Sequence, residues 1–156
     1  MQHITESVDL GPRRVARRRT VRVDAATLYA ALADARRHHE LDGSGTVSAV
    51  VEAPETLALG DTFSVGMRIG PVRYTMRNRV TAAAPGRLLE WRLPAGHRWR
   101  WELAPVGADA TQVTEVFDYR EARIPWLIEL LGFPRRNGSG IERTLAGLDA
   151  RFAARP

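Results

Sequence analysis

His97-Arg98-Trp99-Arg100-Trp101-Glu102-Leu103 alternates large apolar and charged residues over seven positions, and this alternation decides the fold. Successive side chains of a β-strand point to opposite faces, so Trp99, Trp101 and Leu103 share one face. The charged residues share the other face. Because the apolar face has to be covered by another part of the protein, the stretch predicts a strand that lies on a hydrophobic core.

The neighbouring stretches repeat this alternation. Their inward positions are occupied by Phe63, Val65, Met67 and Ile69, by Val72, Tyr74, Met76, Asn78 and Val80, and by Leu89, Trp91 and Leu93. Short breaks rich in proline and glycine separate the strands at residues 70–71, 84–86, 94–96 and 105–109. This arrangement predicts an antiparallel meander with one apolar inner face.

The rest of the chain adds further strands and helices. Asp24 is a good N-cap, because its carboxylate can accept a free backbone N–H at the start of a helix. In chain order we predict strand 13–23, helices 25–33 and 34–41, strand 46–52, the meander strands 63–69, 72–80, 89–93 and 97–103, and strand 111–119. The prediction is therefore seven strands, interrupted by helices only near the start. Residues 1–12 have no periodicity and are expected to be a loose arm.

After Pro125 the period changes from two to about 3.6, which is typical of helices. Residues 126–133 predict a short helix that stops at Pro134, since proline cannot continue the backbone hydrogen bonding. A longer final helix follows, with one apolar stripe formed by Ile141, Leu145, Leu148 and Phe152. No linker interrupts the pattern, so residues 13–156 are expected to form a single domain.

Composition limits the function classes. The chain has 156 residues, 44% hydrophobic and 26% charged, and this length suffices to bury about 70% of the unfolded surface in one core. There is no cysteine, which excludes disulfides, thiolate zinc sites and cysteine nucleophiles. No apolar run is long enough for a membrane span and no signal peptide is evident, so we expect a cytoplasmic protein.

The chain is basic, with a net charge of +5, and all of its basic residues apart from histidine are arginines. Six of them have outward parity on adjacent strands: Arg73, Arg77, Arg79, Arg92, Arg98 and Arg100. One alternative is therefore a surface module that binds nucleic acid or anionic lipid. That face has no aromatic residues to stack on bases, and Glu90 and Glu102 neutralise part of it. We expect a solvated face and no nucleic-acid partner.

The order of elements resembles the helix-grip fold, an α+β fold, of the START, birch-pollen-allergen and polyketide cyclase-dehydrase superfamily, abbreviated SRPBCC. The residues that carry the resemblance are Val21-Arg22-Val23-Asp24-Ala25, Leu59-Gly60-Asp61-Thr62-Phe63, Trp91-Arg92, residues 99–103 and Val113-Thr114-Glu115. The resemblance implies a curved sheet wrapped around the long C-terminal helix, with a cavity between them for a lipid, polyketide or other small hydrophobic molecule.

A curved seven-stranded sheet also encloses more space than one helix with four stripe residues can fill. Large side chains or a ligand have to occupy the remainder, and the tryptophans can serve as core or as the floor of a site for a planar ligand. The candidate ligand-binding residues are Phe63, Met67, Met76, Asn78, Trp91, Trp99, Trp101, Phe117, Trp126, Ile141 and Leu145.

Polar residues of inward parity are Tyr74, Asn78, Glu115 and Tyr119. Leaving such groups buried and unpaired costs about 1–3 kcal/mol each. We expect Glu115 or Asn78 to accept a hydrogen bond from a buried indole. Glu115 either pairs with a tryptophan, a tyrosine or an arginine of the last helix, or has a raised pKa and orients or deprotonates a ligand. The parity of its strand stays open, because Val116 would then face outward.

The resemblance to the aromatase/cyclase branch implies cyclisation, dehydration or aromatisation of a bound polyketide-like chain. Tyr74, Tyr119 and Glu115 are then the catalytic acid/base candidates, and Asn78 would hold a carbonyl. No complete catalytic set of that branch matches this chain, so we expect binding of a small hydrophobic molecule, with catalysis on that molecule as the alternative. No phosphate loop or dinucleotide fingerprint occurs, and no cofactor is expected.

His38, His39, Glu40 and Asp42 form one cluster of metal-ligand types, but adjacent histidines seldom face one ion, so no metal is expected. We place His38 and His39 at the cavity rim, titrating near neutral pH, and His97 in solvent. The apolar residues 126–133 either form a lid over the cavity, which we favour, or pair two chains. The protein is thus expected to be a monomer or a homodimer.

Overall fold

The computed structural model describes residues 3–153, apart from the side chain of Val50. The strands are β1 (Glu6–Val8), β2 (Arg14–Val21), β3 (Val47–Glu52), β4 (Thr62–Ile69), β5 (Val72–Ala84), β6 (Leu88–Arg92), β7 (Arg98–Pro105) and β8 (Thr111–Asp118). The helices are α1 (Ala25–Leu32), α2 (His38–Leu41), α3 (Pro125–Leu130) and α4 (Phe133–Ala153), with a 3-10 turn at Ala35–Arg37. The predicted helix-grip fold is confirmed.

The strands form one antiparallel sheet in the order β1-β2-β8-β7-β6-β5-β4-β3. Strand β7, which contains the alternating stretch of residues 98–103, lies in its centre. Register shifts interrupt the β5–β6 pairing between Val80 and Ala82 and the β3–β4 pairing between Val47 and Val51. Such bulges bend a strand and increase its twist, so they help to curve the sheet toward helix α4.

Helix α4 packs against the sheet through the predicted stripe, since Ile141, Leu145, Leu148 and Phe152 are all buried. A glycine allows the helix to lie close to β2. A Cβ added at Gly138 would come within 2.8 Å of Arg17 Nη2 and 3.3 Å of Val15 Cγ1, so a larger residue here would require the Arg17 side chain to move.

Helix α1 begins as predicted at Asp24, whose carboxylate accepts hydrogen bonds from the backbone N–H of Thr27 at 2.9 Å and from its hydroxyl at 2.6 Å. A second close contact joins the loop after α2 to α4. The Gly43 N–H donates to Thr144 Oγ1 at 2.8 Å. The short helices are thereby held across one side of the space between the sheet and α4.

Three expectations about the elements are wrong. The sheet has eight strands, because Glu6–Val8, within the expected loose arm, pairs with β2; Met1 and Gln2 lie outside the described residues. Pro134 does not stop a helix but lies in the first turn of α4, where its missing N–H needs no partner. The helix before it ends at Leu130, and Gly132 makes the turn with φ +75°.

Candidate ligand-binding site

The inner face of the central strands carries three tryptophans. Trp91 on β6 lies directly opposite Trp99 on β7, and Trp101 lies opposite Leu89. Trp101 is buried, whereas Trp91 and Trp99 remain partly exposed although they point toward the same side. Protein atoms therefore do not cover this part of the inner face completely.

Further aromatic rings extend this surface on both sides. The ring of Phe63 lies edge-on to Trp91, with centroids 5.6 Å apart. On the other side, Phe117 lies 5.1 Å from Trp99 and stacks on Tyr119 at 5.3 Å. The predicted ligand-binding aromatics of strands β4, β6, β7 and β8 thus form one continuous wall.

Flexible side chains border the wall on β4 and β5. Met67 lies directly opposite Tyr74, and Met76 lies opposite Val65. Met67, Met76 and Tyr74 are partly exposed, while Val65 is buried. Methionine adapts its shape to irregular neighbours, so this border can adjust to what it contacts.

Glu115 occupies the inner face of β8, directly opposite Trp101 on β7 and Arg17 on β2. This register resolves the open question of strand parity: Val116 points to the other face, opposite Ala16, and is buried there. The Arg17 guanidinium does not hold Glu115, since its Nε donates to Glu142 at 2.8 Å.

The Glu115 side chain is isolated from hydrogen-bond partners. The residue is 6% exposed, and no described residue forms a hydrogen bond with its Oε2. Burial, and secondly the negative charge of Asp42, raise the pKa of Glu115 well above its ordinary value. Its carboxyl therefore favours the neutral form, which can donate a hydrogen bond.

Among the other buried polar atoms without a partner in the described residues, Trp101 Nε1, Asn78 Oδ1 and His97 Nδ1 belong to side chains of inward parity. The expectation that Glu115 or Asn78 accepts the indole hydrogen bond is thus wrong for Trp101. An indole N–H is a donor, an amide oxygen is an acceptor, and a neutral carboxyl is both. Each unpaired group costs about 1–3 kcal/mol, so the inner face would gain stability from a molecule that satisfies them.

The other two buried acidic side chains among the described residues, Asp149 and Glu90, are paired. Asp149 on α4, 3% exposed, accepts hydrogen bonds from Arg19 Nη2 at 3.0 Å and Arg22 Nε at 3.3 Å. Burial alone would raise the pKa of Asp149, but these hydrogen bonds outweigh it and hold the pKa below its usual value. On the outer face, buried Glu90 accepts from Arg98 and Arg100 at 3.2 and 3.1 Å. Burial therefore does not by itself leave a carboxyl group unpaired in this protein, and Glu115 differs in this respect from Asp149 and Glu90.

His38 lies deeper than the predicted rim position. Its ring stacks on Trp91 with a centroid distance of 5.1 Å and meets Phe63 edge-on at 5.9 Å, and its Nε2 lies 2.7 Å from the Leu32 carbonyl oxygen. Burial lowers the pKa of His38 below its ordinary value. The neighbouring His39 is partly exposed.

His97 is not in solvent as expected. It packs edge-on against Phe117 with centroids 5.6 Å apart, and burial lowers its pKa to about 4, so it is neutral at pH 7. The alternation of residues 97–103 predicts an inward position for His97, because His97 has the same parity as Trp99 and Trp101. The proximity of Asp42 to Glu115 has no sequence signal, because no periodic pattern relates the loop after α2 to β8.

The remaining predicted site residues divide into buried and exposed ones. Tyr119, Ile141 and Leu145 are buried in the core. Trp126 is 62% exposed and lies on the protein surface, away from the buried cluster. Ile69 and Val72, expected on the covered face, extend past the covering elements and are also exposed.

Among residues 3–153, no three histidine, aspartate or glutamate side chains come together as a metal site would require. In the same part of the chain, no helix combines the length and apolar character needed to cross a membrane.

Comparison with known proteins agrees with this architecture. A family model described as "Polyketide cyclase / dehydrase and lipid transport" matches residues 12–153. An uncharacterized protein of Mycobacterium tuberculosis H37Rv is 45% identical over 150 residues, which cover 94% of this chain and 67% of that protein.

Solved structures share the fold at low sequence identity. A Rhodobacter sphaeroides protein is 18% identical with a TM-score of 0.75, covering 97% of this chain and 99% of the other. A polyketide-cyclase-like protein of Corynebacterium glutamicum is 16% identical with a TM-score of 0.60, covering 97% and 93%. From the family match and the shared fold together, we conclude that the chain belongs to the polyketide cyclase/dehydrase and lipid transport family within the SRPBCC superfamily.

Proposed function

We propose that this protein binds a small, mainly hydrophobic and planar molecule, lipid-like or polyketide-like, that carries hydrogen-bonding oxygen atoms. The molecule lies between the central strands and α4, within one domain formed by residues 13–156. The observation that carries the proposal is the combination of partly exposed, inward-pointing tryptophans with buried polar atoms that have no partner. A purely hydrophobic ligand would leave those atoms unpaired, whereas a ketone oxygen can accept from the Trp101 indole or a neutral Glu115, and a hydroxyl group can donate to Asn78 Oδ1.

Planar aromatic ligands suit the wall best. Fused rings can stack against the faces or edges of Trp91, Trp99 and Phe117, which is favourable beyond the burial of apolar area. Glu115, in its neutral form, donates to a ligand carbonyl, and the Trp101 indole supplies a second donor from the opposite strand.

A second candidate function is catalysis on the bound molecule. A neutral, buried carboxyl is suited to act as a general acid in a dehydration or cyclisation, and the raised pKa of Glu115 favours this role. Burial also raises the pKa of Tyr119, which keeps its phenol protonated as a donor. Tyr74, partly exposed on β5, is the third acid/base candidate. This activity requires the binding mode described above and adds proton transfer to it.

The experiment compares two probes that differ in their oxygen atoms. Fluorescence titration measures the affinity for 6-acetyl-2-naphthol, which has a ketone and a hydroxyl on fused rings, and 2-ethylnaphthalene competes for it without those oxygens. Wild type binds the naphthol more tightly. Glu115→Leu lowers the naphthol affinity about tenfold, as expected for one lost hydrogen bond, and leaves the affinity for ethylnaphthalene unchanged.

Glu102→Leu is the matched control, because Glu102 is an exposed glutamate on the outer face of the adjacent strand β7. It should alter neither affinity. Equal losses for both probes in Glu115→Leu, or binding of neither probe to wild type, would contradict the proposal. A mobility-shift assay with DNA or RNA tests the alternative of a basic surface module, which predicts tight binding that is lost at high salt.

We also propose a cytoplasmic location without a cofactor or metal. Monomer and homodimer both stay open, and light scattering coupled to size-exclusion chromatography distinguishes them.

A further inference from the structure

Two exposed apolar elements lie at the same end of the sheet. Helix α3 follows the last residues of β8, and Arg98 at the start of β7 lies opposite Asp118 at the end of β8. Strand β5 reaches the same end of the sheet. Its residue Arg79 pairs with Arg92, the last residue of β6, so the residues of β5 that precede Arg79 extend beyond the end of β6. The β4–β5 turn is therefore at the end of the molecule where α3 lies.

Helix α3 exposes apolar side chains that its position leaves uncovered. None of the residues Pro125–Leu130 is buried. Trp126 and Leu130, 62% and 73% exposed, are four positions apart and so share one face of the helix. Ile124 and Leu131 at its two ends are exposed as well. Contiguous exposed apolar surface of this kind marks a site of interaction with another molecule or with a membrane.

Arginines flank this apolar face. Arg123 precedes α3, and Arg135 and Arg136 follow it; all three are exposed and form no ion pair with the described residues. The one carboxylate of the helix, Glu129, is neutralised by Arg13 at 2.9 Å. The patch is thus apolar in the middle and positively charged at its edges.

The β4–β5 turn repeats this arrangement. Ile69 and Val72 form the last cross-strand pair before the turn, and both are exposed. Arg68 and Arg73 form the pair immediately behind them and are also exposed. Both elements therefore present apolar tips with arginines behind or beside them.

We propose that this end of the molecule docks onto the surface of an anionic lipid bilayer. Trp126, Leu130, Ile69 and Val72 enter the interfacial layer, where tryptophan is favoured, and the arginines contact lipid phosphates. A second copy of this chain matches the patch less well. A two-fold symmetric contact through α3 would bring Arg123, Arg135 and Arg136 of both copies together and create repulsion. The proposal does not depend on which ligand the interior binds.

Vesicle co-sedimentation of the full chain tests this inference. The protein sediments with vesicles of phosphatidylcholine and phosphatidylserine, much less with phosphatidylcholine alone, and sodium chloride weakens the binding. Arg135→Ala combined with Arg136→Ala lowers the partition constant about thirtyfold, because each arginine near an anionic surface contributes to binding. Trp126→Ser combined with Leu130→Ser lowers it at least about tenfold.

Matched controls come from the other end of β4 and β5. Leu59→Ser replaces an apolar residue that is 67% exposed in the loop before β4, and Arg87→Ala replaces an exposed arginine of the β5–β6 turn. Neither should change vesicle binding. Since α3 contributes no buried residue, its variants keep the wild-type melting temperature, and circular dichroism verifies this.

Three results would overturn the proposal. They are the absence of sedimentation with the anionic vesicles, equal losses in the control variants and the α3 variants, and a wild-type dimer in sedimentation velocity that dissociates in the Trp126→Ser, Leu130→Ser variant. The last result would assign the patch to a second copy of the chain. Unchanged naphthol binding in the Arg135→Ala, Arg136→Ala variant separates this inference from the proposed interior site.

Discussion

Asp149 and Glu115 are acidic residues on opposite sides of the same interface, one on α4 and one on the inner face of β8, and both are almost completely buried. Arg19 and Arg22 hold Asp149 in its charged form, and its pKa lies below the usual value. Glu115 has no partner for Oε2, and burial with nearby Asp42 raises its pKa. The same interface thus contains one buried carboxyl that protein atoms pair and one whose Oε2 they leave without a hydrogen bond.

The largest expected effects on the free energy of unfolding come from the two tryptophans of β7, which differ in how completely protein atoms cover them. Trp101 is buried and Trp99 partly exposed. Trp101→Ala should therefore lower the free energy of unfolding by about 4 kcal/mol, and Trp99→Ala by about 2 kcal/mol. Both variants should bind 6-acetyl-2-naphthol more weakly. Urea denaturation gives the stabilities, and loss of stability with unchanged naphthol affinity would leave both residues as core only.

Replacing Asp149, the paired carboxylate, should lower the stability of the protein without changing ligand binding. Asp149→Asn removes the charged partner of Arg19, which is mostly buried and retains only its hydrogen bond to Thr5 Oγ1, so the free energy of unfolding should fall by about 2–3 kcal/mol. Naphthol affinity should not change. Glu142→Gln is the control, since this half-exposed glutamate of the same helix pairs with Arg17 and should cost less than about 1 kcal/mol. Weaker naphthol binding in Asp149→Asn would remove the distinction between the two regions.

The smallest expected effect is on the pH dependence of the free energy of unfolding. This dependence has opposite signs for Glu115 and Asp149. Because the pKa of Glu115 is raised on folding, its contribution is fully present below the unfolded pKa of about 4.3 and is lost as pH rises through the folded pKa. The lowered pKa of Asp149 gives a contribution present above about 3.9 and lost on acidification.

Glu115→Gln should therefore be more stable than wild type by about 1 kcal/mol at pH 8 and similar to it at pH 4. Asp149→Asn should instead lack the part of the decrease in free energy of unfolding that protonation of Asp149 causes at acidic pH. Urea denaturation across this pH range measures both effects. A wild-type and Glu115→Gln difference that is constant with pH would mean that the Glu115 carboxyl keeps an ordinary pKa.

Local patterns were sufficient to predict much of the fold. The alternation of residues 97–103 placed the central strand, and the stripe from Ile141 to Phe152 placed the helix that packs on it. Strand β1 was not predictable, because Glu6–Val8 is too short for a periodic pattern and forms only through its pairing with β2. The role of Pro134 was not predictable either. Proline is equally compatible with the end of one helix and with the first turn of the next helix.

The candidate site was predictable in its residue types but not in its pairings. Parity identified Asn78, Glu115 and Trp101 as inward-facing, yet whether each finds a partner depends on distances across strands and helices. Asp42 approaches Glu115 from a distant part of the chain, and His38 reaches Trp91 from a helix of four residues. Such contacts leave no periodic signal in the sequence.

Carbon-13 NMR of the side-chain carboxyls of Glu115 and Asp149, titrated with and without 6-acetyl-2-naphthol, tests the central claim most directly. We expect the pKa of Glu115 to lie above that of an ordinary glutamate and its carboxyl resonance to move when the naphthol is added. The pKa of Asp149 should lie below that of an ordinary aspartate, with a resonance that the naphthol leaves in place. A Glu115 resonance that titrates normally and ignores the naphthol would contradict the account.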